Sequence, residues 1–189
     1  KVGEEYIQKG VDSYNLGKYA SANMYFDKAI EFYQKSKDKK RLALLYNSKG
    51  MALEALGSHL ESLEGSENSL YYEDTIDTID SVCALKCFDE AVKSKDTIDP
   101  ALSDFCALKC FDEAVKLSNG IANADIVNIY HNKGYTHAKR KEYKKAITCF
   151  EKAEDVFDTD VDPTDVADTC RNMGYAIAKE NYSPENLNL

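Results

Sequence analysis

The sequence predicts an all-α fold, an α-solenoid of antiparallel helix pairs stacked side by side. Three observations lead there. Only three prolines and nine glycines are spread over 189 residues, too few for the turn-dense pattern of an all-β fold. Ala, Phe and Ala recur at i, i+4 and i+7, which places them on one helical stripe. The chain also repeats itself with a period of about forty: glycines stand at 10, 50, 134 and 174, and self-similarity at such a period marks units that stack into an array.

The elements follow in order. YIQKGVDSYNLGKYASANMYFDKAI, from Tyr6 to Ile30, aligns with YHNKGYTHAKRKEYKKAITCFEKAE, from Tyr130 to Glu154. Tyr6, Gly10, Tyr19, Ala22, Phe26 and Ala29 match Tyr130, Gly134, Tyr143, Ala146, Phe150 and Ala153. YNSKGMALEALG, with Tyr46 and Gly50, and CRNMGYAIAKEN, with Cys170 and Gly174, repeat the first half of the pattern. The spacing predicts nine helices, near 3–16, 19–36, 40–56, 59–72, 78–95, 101–118, 123–140, 143–157 and 164–180. They form units over 3–38, 40–77, 78–120 and 122–160, then a final helix over 163–181 and a tail over 182–189.

The stretch CALKCFDEAVK occurs twice, at 83–93 and 106–116. Ala107, Phe111 and Ala114 carry the stripe of a second helix, and the two copies read as the consecutive helices of a third unit, with Val92 in the slot that elsewhere holds glycine. Asp99 before Pro100 and Asp162 before Pro163 read as N-caps with proline in the first turn. The helix expected at 59–72 is the weak one: Ser62, Ser66 and Ser69 fill its stripe, and Gly65 costs roughly 1 kcal/mol relative to Ala.

These residues at these intervals resemble the tetratricopeptide repeat, and the forty-residue unit is similar to the long repeats of kinesin light chain-type scaffolds. The resemblance implies a right-handed superhelical array whose first helices line a concave groove. It places the ligand contacts at Asn128, His131, Tyr135 and Lys139 in the fourth unit and at Asp168, Arg171, Tyr175 and Lys179 in the fifth. Tyrosines among cations suit a peptide or protein segment bearing carboxylates; the plainer reading is a solvated face. The carboxylate clamp that holds chaperone C-terminal tails needs Lys and Asn where this chain has Ile7 and Val11, and Asn47 and Met51 do not rebuild it, so such tails are not expected partners.

Other readings are narrower. A net charge of −9 argues against nucleic acid and anionic membranes, both of which need a positive field. KVGEEYIQKG is too polar for a signal peptide, and Lys1 in place of Met suits a fragment of a longer protein. Six cysteines without a secretory signal fit a reducing, cytoplasmic setting. Cys83 with Cys87 and Cys106 with Cys110 are spaced to hold zinc or form disulfides across a hairpin, against the plainer reading of buried thiols copied by duplication.

Asp158, Asp160 and Asp162 lack the Gly and the distal carboxylate of a calcium loop, since Pro163 and Thr169 stand there. His59, His131 and His137 belong to no nucleophile or zinc-protease motif. The expectation is therefore a non-enzymatic scaffold with no cofactor. A peptide-sensing regulatory solenoid is a further possibility on which the sequence gives no handle.

Overall fold

The structure, a computed structural model, describes residues 1–64 and 100–182. Among them are seven helices and no strand: α1 Val2–Asn15, α2 Tyr19–Ser36, α3 Lys39–Glu64, α4 Pro100–Leu117, α5 Asn123–Lys139, α6 Tyr143–Glu154 and α7 Pro163–Asn181. The helix expected near 78–95, the glycine slot at Val92, Gly65, Ser66, Ser69, Cys83, Cys87, the Asp99 cap and the tail from 183 onward lie outside the described residues.

The helices bury the stripes that the sequence repeats. Ala22, Phe26 and Ala29 of α2, Ala107, Phe111 and Ala114 of α4, and Ala146, Phe150 and Ala153 of α6 are at most 2% exposed. Each ring lies on a glycine of another helix. A Cβ built on Gly10 would come within 2.6 Å of Phe26, on Gly50 within 2.6 Å of Phe111, and on Gly134 within 2.7 Å of Phe150. No side chain fits at that distance, so close helix approach is what requires glycine there.

Three hairpins result. α1 packs on α2, α3 on α4 and α5 on α6, with α7 against α6 and α5. The first and third hairpins close through the same turn. Lys18 N–H donates to Ser13 O and Gly17 N–H to Tyr14 O, and Glu142 N–H donates to His137 O and Lys141 N–H to Ala138 O. This pair of bonds requires a left-handed residue just past the helix: Gly17 takes φ 73° and Lys141 φ 60°.

The second hairpin corrects two expectations. The spacing predicts separate helices near 40–56 and 59–72, with a break at Gly57 and Ser58. Instead α3 runs unbroken through Gly57 to Glu64. Leu53, Leu56 and Leu60 are all less than 5% exposed and continue one apolar stripe past the glycine, and Ser58 Oγ donates to Glu54 Oε1 at 2.9 Å. A stripe that stays buried outweighs one glycine in a helix, which costs about 1 kcal/mol.

The second correction concerns α4. It was expected to close a third unit, but Phe111 fills the seat at Gly50, so α4 is the second helix of the α3 hairpin, and residues 65–99 connect its two members. The pair is antiparallel. Gly50 faces Phe111, while three residues further along α3, Leu53 O accepts from Ser103 Oγ at 2.5 Å.

The core runs from hairpin to hairpin as a seam. Ala22, Phe26, Ile30 and Tyr33 of α2 cluster with Leu42, Leu45 and Ala52 of α3, with Tyr6, Ile7 and Tyr14 of α1 beside them. Leu53 of α3 clusters with Cys106, Ala107, Cys110 and Phe111 of α4. Ala146 and Phe150 of α6 close on Ala176 of α7. Asp162 caps α7, accepting from Thr164 N–H at 2.7 Å with Pro163 in the first turn.

Candidate functional site

Helices α3, α5 and α7 lie side by side and parallel. Asn132 Nδ2 of α5 donates to Asn47 Oδ1 of α3 at 3.2 Å, and about two to three turns further on, Lys139 reaches Glu54 and Ser58. His131 of α5 reaches Thr169 of α7, with Nδ1 and Oγ1 2.9 Å apart. Equivalent positions on α3, α5 and α7 therefore share a face.

The structure divides the sequence-derived contact residues into two groups. Tyr135, Arg171, Tyr175 and Lys179 are exposed, while Asn128, His131 and Lys139 are half-buried. Tyr135 and Tyr175 are 46% and 52% exposed, and each directly follows a marker glycine. The ring of Tyr175 stands edge-on to Tyr143 with centroids 6.5 Å apart, and Lys179 Nζ lies 5.5 Å from its centroid. Arg171 pairs with Asp168 one turn earlier on the same helix, and both side chains are open to solvent.

Two of the half-buried residues, His131 and Lys139, are engaged inside the array. His131 sits edge-on to Phe150, centroids 5.9 Å apart, and Asn172 Nδ2 approaches its Nε2 at 3.4 Å. Burial holds its imidazole below the ordinary pKa, with Asp168 and Asp165 pulling weakly the other way. Lys139 Nζ donates to Asp104 Oδ1 of α4 at 2.9 Å, to Ser58 Oγ at 2.9 Å and to Glu54 Oε1 at 3.3 Å. Burial works against the Lys139 charge, but Asp104 together with Glu54 and Glu61 outweighs it, and the Lys139 pKa is raised. Asp104 is only 3% exposed, and burial raises its carboxyl pKa against the pull of Lys139. The ammonium thus ties three helices together.

Sequence reasoning missed Glu54, Ser58 and Asp104. The face itself had a readable signal. The residues that follow the four marker glycines are Val11, Met51, Tyr135 and Tyr175, and all four keep part of their apolar surface in solvent.

Three other sequence features resolve into structure. Asp158 accepts from Asn123 Nδ2 at 2.5 Å and from Asp160 N–H at 2.9 Å, and Asp162 is spent on its cap. Among the described residues no group of three or more His, Cys, Asp or Glu is placed to hold a metal. Cys106 and Cys110 are buried on α4, Cys149 is a buried thiol raised in pKa by burial, and Cys170 is an exposed thiol. No helix among the described residues is long and apolar enough to cross a membrane.

No curated protein matches the chain. Residues 127–157, which span α5 and α6, match the family model of the tetratricopeptide repeat, and the chain has tetratricopeptide-repeat character on that evidence of sequence and hairpin geometry together.

Proposed function

We propose that the chain is a non-catalytic protein–protein interaction scaffold that holds a peptide or protein segment across α5 and α7, with Tyr135, Arg171, Tyr175 and Lys179 as contacts. One observation carries the reading: Val11, Tyr135 and Tyr175, each the residue after a marker glycine, are exposed side chains with apolar surface, 39%, 46% and 52% open to solvent, while Met51 in the same place on α3 is half-buried. At Gly10 and Gly134 glycine lets the hairpin close behind the helix, and the next residue, Val11 or Tyr135, stays exposed. A repeating row of apolar side chains on a rigid array suits a partner that lies along it, because the array is ordered before binding and the partner carries most of the ordering cost. Tyrosine adds stiff contact area with few rotamers to freeze.

The charge preference of this reading is narrower than the sequence alone suggests. Lys139 is already neutralised by Asp104 and Glu54, so a partner's carboxylate has Lys179 to meet, and Arg171 in exchange for its exposed Asp168. The partner is then an apolar segment with an acidic residue rather than a strongly acidic one. Nucleic acid and anionic membranes stay outside the reading because of the −9 charge. The reading includes a long-repeat, right-handed superhelical array similar to kinesin light chain-type scaffolds, since Gly10 and Gly50, like Gly134 and Gly174, are forty residues apart. It also includes a reducing cytoplasmic compartment, which the thiols of Cys149 and Cys170 suit.

Affinity capture with mass spectrometry tests it. Tyr135→Ser with Tyr175→Ser should lower recovery of the captured partner at least about tenfold, the loss of roughly 1.4 kcal/mol, while Leu16→Ser, at an exposed turn, leaves it intact. Undiminished capture by the double variant removes the proposed face.

A further inference from the structure

Three marker glycines each seat a phenylalanine: Gly10 seats Phe26, Gly50 seats Phe111 and Gly134 seats Phe150. The fourth, Gly174 of α7, is exposed, and a Cβ built there would meet nothing within 4 Å. Glycine is a poor residue for a helix interior, and at the other three places the ring is what requires it. At Gly174 no described residue gives that reason.

The face around Gly174 is open where its counterpart on α5 is covered. Ala167, Cys170, Gly174, Ile177 and Ala178 stand forty residues after Val127, Tyr130, Gly134, His137 and Ala138. On α5, Val127 clusters with Ala153 of α6 and has Tyr130 beside it, while Ala138 packs on Ala146 and Phe150. That whole set is buried or half-buried, whereas every member of the α7 set is exposed. The α7 residues carry no charge and fall within an arc of about 100° around the helix. Tyr175 and Lys179 lie about 100° and 140° away from Gly174, so the tyrosine row is a different face. An outer face of a repeat array that stays in water is polar. This one is small and apolar, the character of a helix face that a neighbouring helix covers.

α6 shows the shape of what fits. Its Ala146 and Phe150 already touch the adjoining face of α7 at Ala176, so a ring on Gly174 extends the row of ring seats by one place. We propose that the open face of α7 is a docking site for an amphipathic helix of a partner protein, one carrying Ala, Phe and Ala at i, i+4 and i+7. Its phenylalanine sits on Gly174, its first alanine against Ala178, and its second against Ala167 and Cys170, in the antiparallel sense that α6 takes on α5. The site shares no residue with the contacts proposed above and stands or falls separately from them.

Alkylation of Cys170, read by mass spectrometry on the full chain, tests the proposal, because Cys170 is an exposed thiol on this face while Cys149 is buried. The probe is a synthetic peptide of residues 142–156 with Cys149→Ala, which brings no thiol of its own. At saturation it should slow alkylation of Cys170 at least about fivefold, since a covered group reacts only from the open state. The same peptide with Phe150→Ala should leave the rate unchanged, and so should the intact probe on a Gly174→Leu chain, whose seat is filled. An unchanged Cys170 rate with the intact probe overturns the proposal, as does protection by the Phe150→Ala peptide or in the Gly174→Leu chain. Cys149 of the chain becoming reactive while Cys170 stays open would mean that the probe exchanges with α6, and overturns it too. Protection that grows with chain concentration in the absence of probe would assign the face to a second copy and overturn the partner helix.

Discussion

Gly134 and Phe150 touch so closely that a Cβ on the glycine would sit 2.7 Å from the ring, whereas a Cβ on Gly174, the equivalent position of α7, would meet nothing within 4 Å. The two glycines share a sequence pattern but differ in packing. Gly134→Ala should destabilise the protein by about 1–3 kcal/mol, the usual cost of forcing an extra methyl into a filled core. Gly174→Ala should stabilise it by up to about 1 kcal/mol, because alanine is the better helix former and no ring opposes it. Denaturant unfolding of the two variants checks this. Equal and opposite signs to those stated would show that the ring seat does not require glycine.

Lys139 and Lys179 occupy equivalent positions on α5 and α7, and the structure gives them different work. Lys139→Met leaves the buried carboxylate of Asp104 without its cation, which should cost about 3 kcal/mol. Lys179→Met alters an exposed side chain and should stay within about 0.5 kcal/mol. Thermal unfolding distinguishes them. If the two variants are equally stable, the Asp104 pair contributes nothing, and Lys139 returns to the list of binding residues.

How much of this was legible follows from how local each decision is. α1, α2, α5, α6 and α7 could be read because the glycine, the Ala-Phe-Ala stripe and the Asp162–Pro163 cap all act within one hairpin. Gly57 could not, because whether the chain turns there depends on which helix packs next, and Phe111 lies far along the sequence. The partners of the contact residues divide in the same way. Asp168 and Arg171, three residues apart on one helix, could be paired by spacing, but Lys139 is taken by Glu54 and Asp104 of two other helices, which no single-helix pattern reveals.

Gly17 and Lys141 hold the same left-handed place in two copies of one turn. A side chain costs about 1–2 kcal/mol in that conformation, partly offset by the extra freedom glycine has when unfolded. Nothing lies within 4 Å of a Cβ at Gly17, so the backbone alone decides. Lys141→Gly should therefore gain about 0.5–1 kcal/mol and Gly17→Lys should lose a similar amount. Measured together by chemical denaturation, the changes should oppose each other; changes of the same sign would mean that the turn does not control stability.

Two histidines give the fold a pH dependence of definite sign. Burial holds the imidazoles of His131 and His137 below their usual pKa of about 6.5. At His137 the hydrogen bond with Glu142 Oε2 at 2.7 Å opposes burial without overcoming it. The unfolded chain then takes up protons first as pH falls through 6.5, so stability declines from there until the folded pKa values are reached and levels off below them. Asp27 and Asp104 act in the opposite sense, since burial raises both. Their contribution is fully present below about 3.8 and is lost as pH rises through the raised folded values. The histidine share is isolated by substitution. The thermal midpoint of the unaltered chain should drop further between pH 7 and pH 5.5 than that of His131→Gln with His137→Gln, and an equal drop in both would show that neither imidazole is held neutral by the fold.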